Sequence, residues 1–432
     1  MWGDSKDGPD GCRGSRGENR VTGLRIGGTA EVVVLPSDQD ASGRSLGASE
    51  LARLVEVIES GKLTSTRGEQ VSELESGIGA IFGCGEVIAC SSGTSAIHAA
   101  IAAIDPEPGD EIVTSPVTDI GAITPILYQG AIPVFADVSP LTGNVTAASV
   151  ADRISPRTRG VIVTHLFGNP AAVDEIVDLC APLGIAVIED CSQAWMARRG
   201  GKFVGMIGDF GVFSTQQGKH LTTGEGGILL ARDPGRARRA RLFVNKAWSG
   251  DDPRPDHEFL ALNARMTELQ GAVGNAQLAK LRGFVDHRHK MSTAFLAAVD
   301  AIDGIAVVHA DPADVASWWR IPVLVDRGLC SPDALAEELS KVGVAALPRY
   351  IRKPVFECKV IAEQRTFGSS HWPFTLARPE ALDYSRSKFT GTGEFLDSVL
   401  VLPFNERYEP EHVSFVINVL KEAVQNISGM VS

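Results

Sequence analysis

The chain has 432 residues, 44% of them hydrophobic, and a formal net charge of -12 at pH 7. That is enough apolar material for a full core and more length than one typical domain, so a large domain with a smaller companion is expected. The acidic balance offers no basic footprint for nucleic acid or an anionic membrane surface, and no apolar run approaches the roughly 20 residues a membrane helix needs.

The opening stretch, MWGDSKDGPDGCRGSRGENR, carries charge and glycine but no apolar segment. Residues 1–22 are therefore expected to form a disordered leader with neither a signal peptide nor an anchor. Seven cysteines (Cys12, Cys84, Cys90, Cys180, Cys191, Cys330 and Cys358) are scattered, odd in number and without C-x-x-C spacing, the pattern of reduced thiols in a cytoplasmic protein. Leu51, Leu54, Val55 and Ile58 recur at helical spacing and predict a helix from Ala48 that stops at Gly61. After it, short apolar runs (EVIAC, EIVTS, AIPVFAD, GVIVTHLFG, IAVIED) alternate with helix-like segments. This alternation predicts an α/β fold, a mostly parallel sheet between layers of helix, with ligands at the carboxyl ends of the strands.

The segment NARMTELQGAVGNAQLAKL predicts one long helix with Met266, Leu269, Val273, Ala276 and Leu278 on its apolar stripe. Past Phe284 the pattern changes to IAVVHA, RIPVLVD, the helix SPDALAEELSKVG, VLVLPFN and a last helix from Pro410 to Val424. The expected division is a large domain with an N-terminal arm over 23–284 and a smaller α+β domain over 285–432.

Three segments carry candidate chemistry. IAVIEDCSQA ends a buried strand in Glu189-Asp190, and such an acid commonly caps a helix or closes a turn. Alternatively the Asp190 carboxylate pairs with a pyridine nitrogen and keeps it protonated, with Gln193 bonding a phenolic oxygen nearby. In GDFGVFSTQQGKHLTTGEGGILLA, two strand-like runs flank a loop in which Gly218, Gly224, Gly226 and Gly227 let the backbone approach a ligand closely. Most lysines are solvated surface charges. Lys219 in this buried setting would lose part of its hydration and yield the neutral amine of Schiff-base chemistry, with Ser214 offering a hydroxyl to phosphate. ACSSGTSAIHAA places Gly93, Thr94 and Ser95 at a helix start, which serves either as an ordinary cap or as a phosphate cradle of backbone N–H groups.

The order and spacing of these segments, together with ESGKLTSTRGEQVSELES, GAIPVFADVSPLTGNV, the THLFG turn and LNARMTELQGAVGNAQLAKL, resemble the DegT/DnrJ/StrS family of pyridoxal phosphate (PLP) dependent sugar aminotransferases, of fold type I. The resemblance runs from about Thr22 to the C-terminus. It implies Lys219 as the Schiff-base lysine, Asp190 at the ring nitrogen, Gln193 at the phenolic oxygen, and Gly93, Thr94 and Ser214 at the phosphate. It also implies that Asn263 reaches the phosphate of a neighbouring subunit, so the active unit would be a homodimer with shared sites. The implied reaction moves an amino group from glutamate or glutamine to a keto-sugar, nucleotide-linked ones included, or to a ketocyclitol, on a route to an aminosugar-bearing metabolite such as an antibiotic.

One position departs from the family. Where members place an aromatic residue that stacks on the PLP ring, this chain has Asp119, a candidate active-site residue whose plainer reading is a turn or helix cap. A second branch of the family replaces the lysine by histidine and dehydrates sugars. His220 is adjacent, but Lys219 fills the aligned position and favours amine transfer. A regulatory protein without catalysis is a further alternative, which the presence of Lys219 and Asp190 disfavours. Substrate candidates are His165, Lys246, Trp248, Arg349, Tyr350 and Lys353, each with a structural or solvated alternative; no zinc spacing or P-loop is seen.

Overall fold

The structure is a computed structural model that describes residues 33–250, 252–308 and 310–431. The expected leader over 1–22, with Cys12, lies outside them.

The larger sheet forms from β1 (Glu86–Cys90), β2 (Glu111–Thr114), β3 (Ile132–Phe135), β4 (Thr158–Thr164) and β5 (Ala186–Asp190), then, past a short hairpin of β6 (Arg198–Arg199) and β7 (Lys202–Phe203), β8 (Phe210–Ser214) and β9 (Gly227–Ala231). Their order is β1-β9-β8-β5-β4-β2-β3, and β9 alone runs against its neighbours. Every residue of β2, β3, β5, β8 and β9 is buried. Helices cover both faces, which is why these strands read as continuous apolar runs without alternation. Parallel packing brings the ends of β1, β4, β5 and β8 to one edge, and that edge carries the three motifs.

The long helix spans Glu268–Val299, starting five residues later than its apolar pattern suggested. Thr267 and Gln270 form a capping box that halts the helix there, and residues 263–266 stay extended against the rest of the fold, with Ser91 N–H donating to Ala264 O at 2.8 Å and Ala264 N–H to Val244 O at 2.9 Å. The same helix runs unbroken across Phe284, where the domain boundary was expected. Beyond it lies a second sheet, all antiparallel, of β10 (Ile305–Val307), β11 (Ile321–Val325), β12 (Leu347–Pro348) and β13 (Val399–Leu402), in the order β10-β11-β13-β12. The last helix, Pro410–Val431, packs on it. Val33 and Leu35 of the N-terminal arm join this second core, not that of the large sheet with which the arm was grouped.

A buried ionic triad ties these parts together. Glu406 accepts from Arg288 Nη2 at 3.0 Å and from Arg44 Nη1 at 3.3 Å, and all three side chains are almost wholly removed from solvent. Arg44 Nη2 also donates to the carbonyl of Lys219 at 2.8 Å. Glu406→Gln should therefore leave two buried guanidinium groups without a counter-charge and lower the unfolding free energy by about 3 to 5 kcal/mol, measured by urea denaturation.

Candidate functional site

The loop that carries Lys219 connects β8 to β9 and is cross-linked internally. Thr223 N–H donates to Thr215 O at 2.9 Å, Gln217 N–H to Gly224 O at 2.8 Å, and the Thr215 and Thr223 hydroxyls meet at 2.6 Å. Glycine is required at 226, where φ is +156° and a Cβ would fall 2.3 Å from Thr215 Oγ1. So braced, the loop aims the Lys219 amine at the ring of Trp319, with Nζ 4.2 Å from its centroid, while Trp319 Nε1–H donates to Gly218 O at 2.6 Å. Loss of hydration pushes the Lys219 amine down to about 8, against the opposing pull of the Asp190 and Asp119 carboxylates.

Asp190 ends β5 in the same place. Its Oδ1 accepts from Ser192 N–H at 3.1 Å, and burial pushes its carboxyl up while Ser192 and Lys219 oppose that shift. Glu189, one residue earlier, points to the other face because side chains alternate along a strand. There it accepts from the N–H groups of Gly205, Ile207 and Gly208 at 2.6 to 2.8 Å and pairs with His165 Nε2 at 3.0 Å. His165 Nδ1 accepts from Ala171 N–H at 3.0 Å, so both ring nitrogens are engaged and the side chain is fully buried. In this position His165 braces Glu189 and the turn after β4.

Gln193 faces inward, accepting from Phe167 N–H at 2.7 Å and donating from Nε2 to the Tyr350 hydroxyl at 2.8 Å. Tyr350 comes from the second sheet's side of the molecule, packs edge-on against Phe167 and Trp319, and has its phenol pushed up by burial and by Asp119. The aromatic ring beside Lys219 is thus that of Trp319, with Tyr350 packed edge-on against it, and position 119 supplies none. Asp119 caps a short 3-10 turn, Ile120–Ala122, accepting from Gly121 N–H at 2.7 Å, and its carboxylate also acts on Lys219, Asp190 and Tyr350.

Gly93 opens the helix Gly93–Ile104, and a Cβ there would lie 3.0 Å from Ser214 Cβ, so the helix start and the end of β8 nearly touch. Gly93 and Thr94 are first-turn residues whose N–H groups have no partner within the helix. Ser95 differs: its N–H donates to Ser92 Oγ at 3.0 Å, so in this structure Ser92 uses the group that was assigned to the cradle. A Cβ on Gly121 would lie 2.4 Å from Thr94 Oγ1 and 2.9 Å from Asp119 Oδ1, which brings those two polar groups to one spot.

Other candidates sit elsewhere. Arg349 forms an ion pair with Asp333, donating at 2.7 Å, and Lys353 Nζ donates to Glu357 O at 2.9 Å. His220 is buried with Nε2 at 3.1 Å from Ser317 O. Lys246, Trp248 and Asn263 are exposed, Asn245 and Asn263 bridging as neighbours. Sequence reasoning missed Trp319, Arg320, Arg44 and Asp38; WWRIPVLV reads simply as the start of a strand, and nothing in the arm's composition marks an active-site segment.

A competitive labelling experiment checks the electrostatics. With acetic anhydride, the reactivity of Lys219 should rise through a midpoint near pH 8, below that of the surface lysines, because its neutral form is already abundant there. Mass spectrometry of the peptide spanning β8 and β9 reads the midpoint.

The model of the DegT/DnrJ/EryC1/StrS aminotransferase family matches residues 44–421. A Bacillus subtilis protein named as a pyridoxal phosphate-dependent aminotransferase, EpsN, is 30% identical over 311 residues, covering 70% of this chain and 80% of its own. GDP-perosamine synthase of Caulobacter vibrioides is 31% identical over 288 residues, covering 66% and 77%. Among solved structures, the aminotransferase TlmJ of Streptoalloteichus hindustanus superposes with a TM-score of 0.77 at 27% identity, over 89% of this chain and 98% of TlmJ.

Proposed function

Because the chain belongs to the DegT/DnrJ/EryC1/StrS aminotransferase family, we propose that it binds PLP at the Lys219 edge of the sheet and aminates a keto-sugar or ketocyclitol, with glutamate or glutamine as donor. The observation that carries this reading is the meeting of a partly dehydrated lysine amine and a buried carboxylate, Asp190, at one sheet edge beside a helix N-terminus.

The residues present fit that cofactor. Gly93 leaves a gap in front of Ser214 that a Cβ would narrow, the first-turn N–H groups suit a dianion, and the raised carboxyl of Asp190, bonded to Ser192, is a buried acid suited to a cationic ring nitrogen. Gly93, Thr94 and Ser214 would hold the phosphate, Asp190 the ring nitrogen, Gln193 the phenolic oxygen and Lys219 the aldehyde carbon. Bound there, PLP supplies an electron sink for the carbon that loses or gains a proton.

The chain's own part is proton movement and positioning. The Lys219 amine, neutral in a useful fraction near neutral pH, takes a proton from the amino-bearing carbon of the donor and returns one during amination of the acceptor. Trp319 limits water beside that amine, and the Tyr350 hydroxyl orients Gln193. Asn263 is exposed among Trp248, Leu260 and Leu262, which are 41%, 95% and 52% exposed. An apolar surface of that kind supports a homodimer in which Asn263 completes the partner's phosphate site.

Transfer of nitrogen from labelled glutamate or glutamine into a ring product tests the reading, and deoxygenation without label would favour a dehydratase. Lys219→Ala should abolish transfer, and Asp190→Asn should reduce kcat/KM by about 100-fold or more, in line with loss of a buried charge partner worth roughly 3 kcal/mol. Mixing Lys219→Ala with Asn263→Ala should restore measurable turnover, since a mixed dimer contains one intact shared site.

A further inference from the structure

A cation that the function above leaves unused stands beside Lys219. The guanidinium of Arg320 lies 5.0 Å from the centroid of the same Trp319 ring that Lys219 Nζ approaches at 4.2 Å. Its partner is a carboxylate from a remote part of the chain: Arg320 Nη2 meets Asp38 Oδ2 at 2.5 Å, and Gln39 Nε2 donates to Asp38 Oδ1 at 2.8 Å. Asp38 is fixed against the catalytic loop as well, its carbonyl accepting from Gln217 Nε2 at 3.1 Å and its Oδ2 lying 3.4 Å from where a Cβ on Gly218 would stand. A cavity of about 340 Å³ flanks the pair, lined among others by Ser37, Gln39 and Tyr408, and the buried Tyr408 hydroxyl has no hydrogen-bond partner among the described residues.

These contacts set up a choice of anion. Arg44, the other guanidinium near the loop, is committed to Glu406 and to the Lys219 carbonyl. The carboxylates acting on Lys219 are Asp190, Asp119 and Asp38, and Arg320 is the cation acting on it. An amino acid donor must bring its own carboxylate close to the Lys219 amine, whereas a ketone acceptor need not. Asp38 already shows that a carboxylate oxygen reaches the Arg320 guanidinium, through Nη2.

We propose that Arg320 receives a carboxylate of the amino donor, and that Asp38 occupies that place until the donor displaces it. The proposal rests on the aminotransferase reading and names the donor-recognising residue within it. Arg320 discriminates between the two half-reactions: its fork binds the donor in the first, and Asp38 returns to it while the acceptor reacts. Tyr408 lies where its hydroxyl can join the released pair. The fork geometry matters, since a lysine would keep the charge but lose bidentate contact.

The test compares Arg320→Met, Arg320→Lys and Asp38→Asn in the holoenzyme. Arg320→Met should raise the donor KM by about 10- to 100-fold, the range for losing a charge-assisted hydrogen bond, with the acceptor KM unchanged and Arg320→Lys intermediate. Asp38→Asn should lower the donor KM, because it removes the internal competitor. Calorimetric titration with glutarate gives a readout apart from turnover: binding is lost in Arg320→Met and tightened in Asp38→Asn. Equal effects on both substrates, an effect confined to the acceptor, or weaker glutarate binding in Asp38→Asn would overturn the proposal while leaving amine transfer standing. If the wild type transferred no amine from any amino acid, the aminotransferase reading would fail, and the glutarate titration would still report on Arg320.

Discussion

A lysine amine can act as a base near neutral pH only where part of its hydration has been removed, and the arrangement of this molecule turns on how that is done for Lys219. The side chain leaves a loop stiffened by the Thr215 and Thr223 contacts and ends against the face of Trp319. Trp319 belongs to the approach to β11, in the second sheet. The desolvation that lowers the amine is therefore supplied across the junction of the two sheets, and it exists only while they are docked. The Arg44–Glu406–Arg288 triad, with its bond to the Lys219 carbonyl, fastens the same junction from behind.

Two adjacent acids show how one strand end serves two ends. Glu189 and Asp190 differ by one position, so the strand sends them to opposite faces. Glu189 finds three backbone N–H groups and His165 and becomes part of the scaffold. Asp190 finds one N–H group and the open side of the sheet edge, and keeps a carboxyl whose burial is incompletely compensated. An acid with that deficit is suited to a cationic ligand group. Its neighbour, with its bonds complete, is not.

Charge around Lys219 is balanced with contributions from distant segments. Asp119 arrives from the turn after β2, Asp38 from the N-terminal arm and Arg320 from the second sheet. The Arg320–Asp38 pair among these can exchange one carboxylate for another without isolating a charge in a site of low dielectric, whereas a lone guanidinium there would be costly to keep. The arm consequently belongs to the chemistry as well as to the second core that Val33 and Leu35 help to build.

What the sequence by itself determined is what depends on local pattern. The unbroken apolar runs required a sheet covered on both faces, and parallel strands required their carboxyl ends to share an edge. Lys219, Asp190, Gly93 and Ser214 were recognisable because each sits beside a strand end or helix start with its own short signature. Tertiary structure alone decided which polar groups met. It engaged both nitrogens of His165, turned Arg349 toward Asp333, started the long helix at Glu268 through the Thr267 and Gln270 box, and brought Trp319, Arg320 and Asp38 to Lys219. Periodicity reports which face of an element is apolar. It carries no information on which side chains two elements, separated by a hundred or more residues, bring within hydrogen-bonding reach.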